Sequence, residues 1–256
     1  MLNKLIEITQ AGGDLALEMK REPQTIKSKD GSNWNYATQV DGEVEDLILG
    51  RLREEFPDTP IVAEEQDEHT IPGGTFLTVD PLDGTIPFSN GFSNWGTIIG
   101  YIEDGQPRTG VMYLPEAKTL IHASQGHGCY INGKHIRLDY QRPLAQTVVA
   151  AELGPWVPSD AWTTMAALRT RCRWLGGSGF AAASLADLLQ GRAGVYPNFN
   201  AKIWDFSVGA LAVTEAGGVA CQPNGNPLTW NEINMQAVFA ANEQLAREVL
   251  DIIAQS

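Results

Sequence analysis

Cysteine is scarce in this 256-residue chain, and its scarcity excludes two classes of protein. The three cysteines, Cys129, Cys172 and Cys221, are an odd number, lie far apart and form no C-x-x-C pair. This spacing argues against a disulfide framework and against a zinc site built from cysteine. The four histidines form no H-E-x-x-H sequence, so that zinc-binding motif is absent as well.

Basic residues are also few, because 18 Lys and Arg oppose 31 Asp and Glu, which gives a formal net charge of −13. A field of this sign repels phosphate backbones and anionic lipids, so we expect neither general nucleic-acid binding nor membrane-surface binding. A small anionic substrate is compatible with this charge only where something local inverts it. A bound divalent cation is the obvious means.

Long hydrophobic runs are missing too, since no stretch reaches the 18 apolar residues of a membrane-spanning helix. The first ten residues carry Lys4 and Glu7 and lack the apolar core of a signal peptide. Apolar residues make up 43% of the chain and charged residues 19%, which is typical of a globular protein. We therefore expect a cytoplasmic location.

Hydrophobic periodicity divides the chain into two halves of different character. Residues 1–142 are predicted to form an α+β half, because helical spacing of apolar residues is followed by short strands and turn sequences. We predict a helix at 2–22 and a second helix that is capped by Thr38 and Asp41 and ends near Phe56. Short strands are expected at 61–63 and 76–79. An antiparallel meander is expected over 95–139, with a hairpin turn at Asn132-Gly133.

Residues 143–256 are predicted to form an α/β half, because strand-like and helical segments alternate. The boundary is expected in the sequence RPLAQ, near residues 140–146. We predict strands in TVVAAE, CRWLG, GVYPNF, VACQP and AVFAA, and helices at 159–170, 181–190, 205–216 and 243–254.

The sequence Asp80-Pro81-Leu82-Asp83-Gly84-Thr85 follows the apolar run FLTV and is the first candidate site. Pro81 prevents further strand pairing and Gly84 permits a sharp turn, so both carboxylates can face one point. Carboxylate and carbonyl oxygens select hard cations such as Mg²⁺ or Mn²⁺. A helix that starts after Thr85 would offer N–H groups to an anion. Taken alone, such a sequence is more often an ordinary Asx-turn.

Three further acidic positions lie at predicted ends of helices or strands: Asp41, Glu64-Glu65 and Asp205. Each has an ordinary explanation by itself. Asp41 completes a capping box, the glutamates form a solvated pair, and Asp205 favours the dipole of its helix. The combination, spacing and order of all the acidic positions favour a shared metal site.

Together these segments resemble the inositol monophosphatase family of Mg²⁺-dependent, lithium-sensitive phosphatases. The resemblance rests on Ala63-Glu64-Glu65, on VDPLDGT at 79–85, on WDFSVGALAVTEAGG at 204–218, on the Thr38-to-Asp41 spacing and on the hairpin QGHGCYINGK. It covers nearly the whole chain. It implies the layered α-β-α-β-α sandwich of the inositol monophosphatase and fructose-1,6-bisphosphatase type, and a homodimer.

The resemblance also implies the metal ligands. Glu64, Asp80 and the backbone carbonyl of Leu82 would hold one Mg²⁺, and Asp80, Asp83 and Asp205 a second. A third, looser ion near Glu64 occurs in relatives. Mn²⁺ is a possible substitute and Li⁺ an expected inhibitor.

The remaining roles follow from the same resemblance. Thr85, with Asp41 behind it, would orient and help to deprotonate the attacking water, and the amides of Gly84 and Thr85 would hold the phosphate. The substrate pocket would include Gly179, Phe180 and Asn198. Asn198 stands where some relatives have an acidic residue that contacts inositol hydroxyls, so we expect a broad preference among sugar and polyol phosphates.

The predicted activity is hydrolysis of a small phosphomonoester, with inositol monophosphate or a related sugar or polyol phosphate as the substrate. Fructose-1,6-bisphosphatase, histidinol phosphatase and 3′(2′),5′-bisphosphate nucleotidase are alternatives within the same superfamily. A non-catalytic regulator or scaffold is the alternative outside enzymology, but the complete set of acidic ligands argues against it.

Overall fold

The computed structural model of the chain describes residues 1–22, 25–66, 68–177 and 179–256. Its helices are α1 (Leu2–Met19), α2 (Gln39–Glu55), α3 (Thr85–Ser89), α4 (Ala161–Arg171), α5 (Ala181–Leu189), α6 (Ile203–Glu215) and α7 (Glu243–Ala254). Among the described residues, no helix combines the length and the apolar character needed to cross a bilayer.

The strands form two large sheets and one small hairpin. The first half contributes β1 (Ile26–Ser28), β2 (Tyr36–Thr38), β3 (Ile61–Ala63), β4 (Phe76–Asp83), β5 (Gly96–Glu103), β6 (Gln106–Leu114), β7 (Thr119–Ser124), β8 (Gly128–Ile131) and β9 (Lys134–Ile136). The second half contributes β10 (Val148–Val149), β11 (Trp174–Leu175), β12 (Val195–Lys202), β13 (Val219–Cys221) and β14 (Asn234–Ala240).

The seven-stranded sheet runs in chain order from β3 to β9. Only the β3–β4 pair is parallel, and the rest forms the predicted antiparallel meander. Asn132 and Gly133 have φ values of 50° and 75°, so the turn between β8 and β9 has the left-handed conformation that its sequence favours.

The five-stranded sheet has the order β11-β10-β12-β14-β13. β10 is parallel to both of its neighbours, whereas β14 is antiparallel to β12 and β13. The predicted strands in TVVAAE and CRWLG are shorter than expected, at two residues each. The chain leaves the sheet after Val149, and this departure carries Glu152 to the wall of a cleft.

Five layers result from the alternation of buried side chains on the strands. Leu77 and Ile99 pack with α1 and α2, whereas Phe76 and Ile98 point the other way and pack with α5 and α6. Helix α6 also contacts the five-stranded sheet, whose opposite face is covered by α4 and α7. This arrangement confirms the predicted α-β-α-β-α sandwich, while the division into units at residue 142 stays a prediction.

A close approach between α6 and the seven-stranded sheet depends on Gly100. A Cβ atom at this position would lie 2.3 Å from Ser207 Oγ of α6 and 2.7 Å from Thr78 Oγ1 of β4. Because glycine leaves this space free, the two hydroxyl groups meet at 2.8 Å in the core. The contact fixes α6, which carries Asp205, against the strand that carries Asp80 and Asp83.

Candidate active site

A cleft of about 240 Å³ brings together residues from both large sheets and from the β1–β2 hairpin. Five of the residues that line it carry carboxyl groups, which are Glu64, Asp80, Asp83, Glu152 and Asp205. The other lining residues are Trp34, Asn35, Tyr36, Leu82, Gly84, Thr85, Ile86, Trp156, Phe180, Asn200 and Lys202.

The loop at the end of β4 turns two carboxylates toward this cleft. Residues three apart on a regular strand point to opposite faces, but the pairing of β4 with β5 shifts register between Asp80 and Asp83. Asp80 Oδ1 accepts the Leu82 N–H at 3.0 Å, which fixes the turn. Gly84 follows with φ +90°, and a Cβ there would lie 3.0 Å from the Asn94 carbonyl oxygen.

Two helix N-termini complete the acidic group. Asp205 is the third residue of α6, and its Oδ2 accepts the backbone N–H of Lys202 at 2.8 Å. Asp83 Oδ2 accepts the N–H of Ala182 at the start of α5, also at 2.8 Å. One carboxylate oxygen from each of Asp80, Asp83 and Asp205 lies within 4.8 Å of the others. The structure therefore brings together three of the predicted metal ligands.

Burial and mutual repulsion raise the pKa values of all three carboxyl groups. Burial, followed by the neighbouring carboxylates, raises the pKa of Asp80 and Asp205 well above the usual range. Burial also raises the pKa of Asp83 to about 7 although the Ala182 amide opposes the shift. Oxygen ligands held this close fit a hard divalent cation, because such an ion removes the repulsion that raises these pKa values.

Glu64 lies beside the group and is paired with Lys29 of the β1–β2 connection. Lys29 Nζ contacts Glu64 Oε1 at 2.8 Å and Glu65 Oε1 at 2.6 Å. Burial lowers the pKa of Lys29, but the two carboxylates outweigh this effect and raise it overall. Burial and the charge of Glu64 raise the pKa of Glu65 to about 8. The ammonium group of Lys29 thus lies between the carboxylates of Glu64 and Glu65.

Asp41 does not line the cleft but supports a residue that does. The predicted capping box is confirmed, because Asp41 Oδ2 accepts the Thr38 N–H at 2.7 Å and Thr38 Oγ1 at 2.6 Å. The other oxygen, Oδ1, accepts Thr85 Oγ1 at 2.9 Å. Burial raises the pKa of Asp41 to about 6, and the hydrogen bonds from Thr38 and Thr85 counteract the shift.

The residues predicted to form the substrate pocket take different places. Phe180 lines the cleft, whereas Gly179 and Asn198 are not among its lining residues. Asn198 is buried, and its Nδ2 donates to Glu152 Oε1 at 2.7 Å. The structure thus places the carboxylate of Glu152 at the wall, with the amide of Asn198 behind it.

Glu152, Trp34 and Trp156 line the cleft but were not predicted from the sequence. A signal for Glu152 was present, since TVVAAE is an apolar run that ends in a carboxylate, as FLTVD is. The tryptophans carried no such signal, because they belong to irregular segments that only the tertiary fold brings together at a ring distance of 6.0 Å.

A profile described as the inositol monophosphatase family matches residues 1–255 of the chain. A Xylella fastidiosa protein named Nus factor SuhB is 31% identical over 230 residues, which cover 88% of this chain and 82% of that protein. The inositol-1-monophosphatase of Bacillus subtilis is 29% identical over 254 residues, which cover 95% and 92% of the two chains.

The fold agrees with solved structures of similar proteins. A Thermotoga maritima IMPase superposes with a TM-score of 0.86 at 25% sequence identity, over 98% of this chain and 95% of that one. The likeness therefore extends over nearly the whole of both chains.

Proposed function

The chain belongs to the inositol monophosphatase family of phosphatases, and we propose that it hydrolyses a small phosphomonoester in a Mg²⁺-dependent reaction. Inositol monophosphate or a related sugar or polyol phosphate is the proposed substrate. The single observation that supports this reaction best is the buried group of Asp80, Asp83 and Asp205, whose oxygens lie within 4.8 Å of one another at the base of a cleft.

The donor set fits Mg²⁺ because it consists of carboxylate oxygens without histidine or cysteine. Asp80, Asp83 and Asp205 would hold one ion, and Glu64 and the Leu82 carbonyl, which line the same cleft, would join Asp80 around a second. When bound, the ions supply Lewis-acid stabilisation of the phosphoryl oxygens and lower the pKa of a coordinated water. The protein then presents a local positive site despite its net charge of −13.

Thr85 and Asp41 are the proposed residues for orienting the attacking water. Because Thr85 Oγ1 donates its proton to Asp41 at 2.9 Å, its lone pairs remain available to accept a hydrogen bond from water. Asp41 is itself fixed by two donors from Thr38, so the position of the hydroxyl oxygen is set by backbone geometry. As Thr85 Oγ1 takes a proton from the water, it would pass its own proton to Asp41 Oδ1.

The turn after Asp83 is the proposed phosphate cradle. Gly84 caps α3 in the left-handed conformation, and Thr85 is the first residue of that helix. The first amides of a helix have no earlier carbonyl within the helix to bind. These N–H groups are therefore suited to donate hydrogen bonds to phosphate oxygens beside the metal ligands.

A regulatory role is the second candidate, because several similar proteins carry the name Nus factor SuhB. Such a role would not need the cleft to be intact. The preserved acidic group, with Thr85 positioned by Asp41, favours catalysis. A homodimeric state and a cytoplasmic location remain proposals, the first from the family resemblance and the second from the sequence.

Phosphate release from a panel of phosphomonoesters, ranked by kcat/KM, tests the proposal. We expect turnover with Mg²⁺ and none after exhaustive chelation, with recovery when Mg²⁺ is restored. Asp205→Asn is the matched inactive variant and should show no turnover at any Mg²⁺ concentration. Activity that persists in excess chelator, or in Asp205→Asn, would contradict the metal-dependent mechanism.

A further inference from the structure

The carboxylate of Glu152 is fixed at the cleft wall by three hydrogen-bond donors. Oε1 accepts the Tyr196 hydroxyl at 2.5 Å and Asn198 Nδ2 at 2.7 Å, and Oε2 accepts Trp156 Nε1 at 2.7 Å. Only 8% of the residue is exposed, and the exposed part belongs to the cleft. Tyr196 and Asn198 belong to β12, so a rigid strand holds this acceptor in place.

The three donors do not use the whole accepting capacity of Glu152. Two carboxylate oxygens offer about four lone-pair positions, and the described residues occupy three of them. Burying a carboxylate is costly unless donors surround it. The remaining position is therefore suited to a donor group of a ligand in the cleft.

Flat aromatic surfaces lie beside this acceptor. The Trp156 ring, whose Nε1 is held by Glu152, lies 6.0 Å from the Trp34 ring and 5.8 Å from the Phe180 ring. All three rings belong to residues that line the cleft. Aromatic faces pack against the carbon skeleton of a ring, while a carboxylate accepts hydrogen bonds from its hydroxyl groups. This combination suits a cyclic molecule that carries hydroxyls.

Glu152 is separate from the proposed metal ligands in its contacts. Its hydrogen bonds run to Tyr196, Asn198 and Trp156, whereas Asp83 and Asp205 are held by the amides of Ala182 and Lys202. The amide of Asn200, which also lines the cleft, is held by the Trp156 carbonyl at 2.8 Å. The wall around Glu152 is thus a pre-organised unit beside the acidic group.

We propose that Glu152 and Trp156 form the subsite for the alcohol part of the substrate and that Glu152 selects hydroxyl-bearing rings. This inference rests on the proposed phosphatase function and names the feature of the substrate that the cleft reads. Glu152 accepts a hydrogen bond from a ring hydroxyl, and Trp156 packs against the ring. An ester of the same ring size without hydroxyls leaves the buried carboxylate partly unpaired and is therefore a poorer substrate.

Two esters with the same six-carbon ring test the subsite: myo-inositol 1-phosphate and cyclohexyl phosphate, compared by kcat/KM with Mg²⁺. The parent protein should prefer the inositol ester. Glu152→Gln should lower kcat/KM for that ester by roughly 10- to 100-fold, the range for hydrogen bonds to charged groups. The same variant should leave the value for cyclohexyl phosphate within about twofold.

Glu215→Gln is the matched control. Glu215 accepts the backbone N–H groups of Gly126 and Gly128 at 2.8 Å each, and it does not line the cleft. The ratio of the two kcat/KM values should be the same in this variant as in the parent. Trp156→Phe serves as a second probe, since it keeps an aromatic face and removes the donor to Glu152, and it should lower the ratio without removing the carboxylate.

The possible results distinguish a wrong subsite assignment from a wrong phosphatase assignment. If Glu152→Gln lowers both kcat/KM values equally, Glu152 supports the reaction or the fold and does not read hydroxyls. If neither Glu152→Gln nor Trp156→Phe changes the ratio, the subsite is wrong while the phosphatase function stands. If the parent hydrolyses neither ester with Mg²⁺, the proposed function fails and the subsite fails with it.

Discussion

Thr85 Oγ1 donates a 2.9 Å hydrogen bond to Asp41 Oδ1, and this contact joins the loop after β4 to the first turn of α2. The two residues are 44 positions apart in the chain. Asp41 is both the third helical residue of the capping box formed with Thr38 and the acceptor for a hydroxyl in the cleft. The structural explanation is therefore confirmed for this carboxylate, whereas its part in activating water stays a proposal.

Removing the Thr85 hydroxyl should abolish most of the activity without unfolding the protein. Thr85→Val is expected to lower kcat by about 10²- to 10⁴-fold, the usual contribution of a positioned proton acceptor. Thr109→Val is the control, because Thr109 is buried, donates to the Ala123 carbonyl at 3.1 Å and does not line the cleft. That variant should lose about 1–3 kcal/mol of stability and keep its kcat. Equal activity of Thr85→Val and the parent would remove Thr85 from the mechanism.

The melting temperature of Asp205→Asn should distinguish the cost of carboxylate repulsion from the gain of metal binding. In excess chelator the variant is expected to melt at a higher temperature than the parent, because one of three mutually repelling carboxylates is neutralised. Mg²⁺ should raise the melting temperature of the parent by mass action and that of the variant much less. A variant that melts lower than the parent in chelator would show that Asp205 stabilises the fold.

The metal-free protein should become less stable as the pH rises. Burial raises the pKa of Asp41 to about 6 and the pKa values of Asp83 and Glu152 to about 7, from ordinary values of 3.8 and 4.5. The folded state therefore binds protons more tightly than the unfolded state. The stabilisation that comes from this tighter proton binding is complete below about pH 4 and is lost as the pH rises through 6 to 7.

Urea unfolding in chelator at several pH values measures this dependence. The free energy of unfolding should decrease across the window from about pH 4 to pH 7, and saturating Mg²⁺ should weaken the decrease. Asp83→Asn should have a shallower slope than the parent, which isolates the contribution of that carboxyl from the general effect of net charge. Identical slopes for the two proteins would contradict the raised pKa of Asp83.

Gly84→Ala should damage the loop that carries the metal ligands. The residue has φ +90°, and an added Cβ would lie 3.0 Å from the Asn94 carbonyl oxygen. Gly74→Ala is the matched control, since φ is +81° and no atom lies within 4 Å of its Cβ position. Both variants should lose about 1–2 kcal/mol from backbone strain. Only Gly84→Ala should also lose activity and metal-induced stabilisation, as kinetics and melting curves would show.

Local patterns were enough to predict the segments whose conformation depends on near neighbours. The capping box of Thr38 and Asp41 and the hairpin turn at Asn132-Gly133 are short-range features, and the structure confirms both. The register shift after Asp80 is also local in origin, since Pro81 has no N–H for strand pairing and Gly84 permits the left-handed turn that follows. The first helix ends at Met19, three residues earlier than expected, and the following Lys20, Arg21 and Glu22 add no apolar residue to its buried face.

The sequence by itself determined that the chain is an acidic globular protein whose carboxylates are grouped at the ends of strands and helices, because composition and spacing are properties of the chain alone. Only the tertiary structure decided which groups meet. Packing of α6 against Gly100 places Asp205 beside Asp80 and Asp83, and the route of the chain after Val149 places Glu152 at the wall in front of Asn198. These contacts depend on distances between segments far apart in sequence, which residue spacing does not encode.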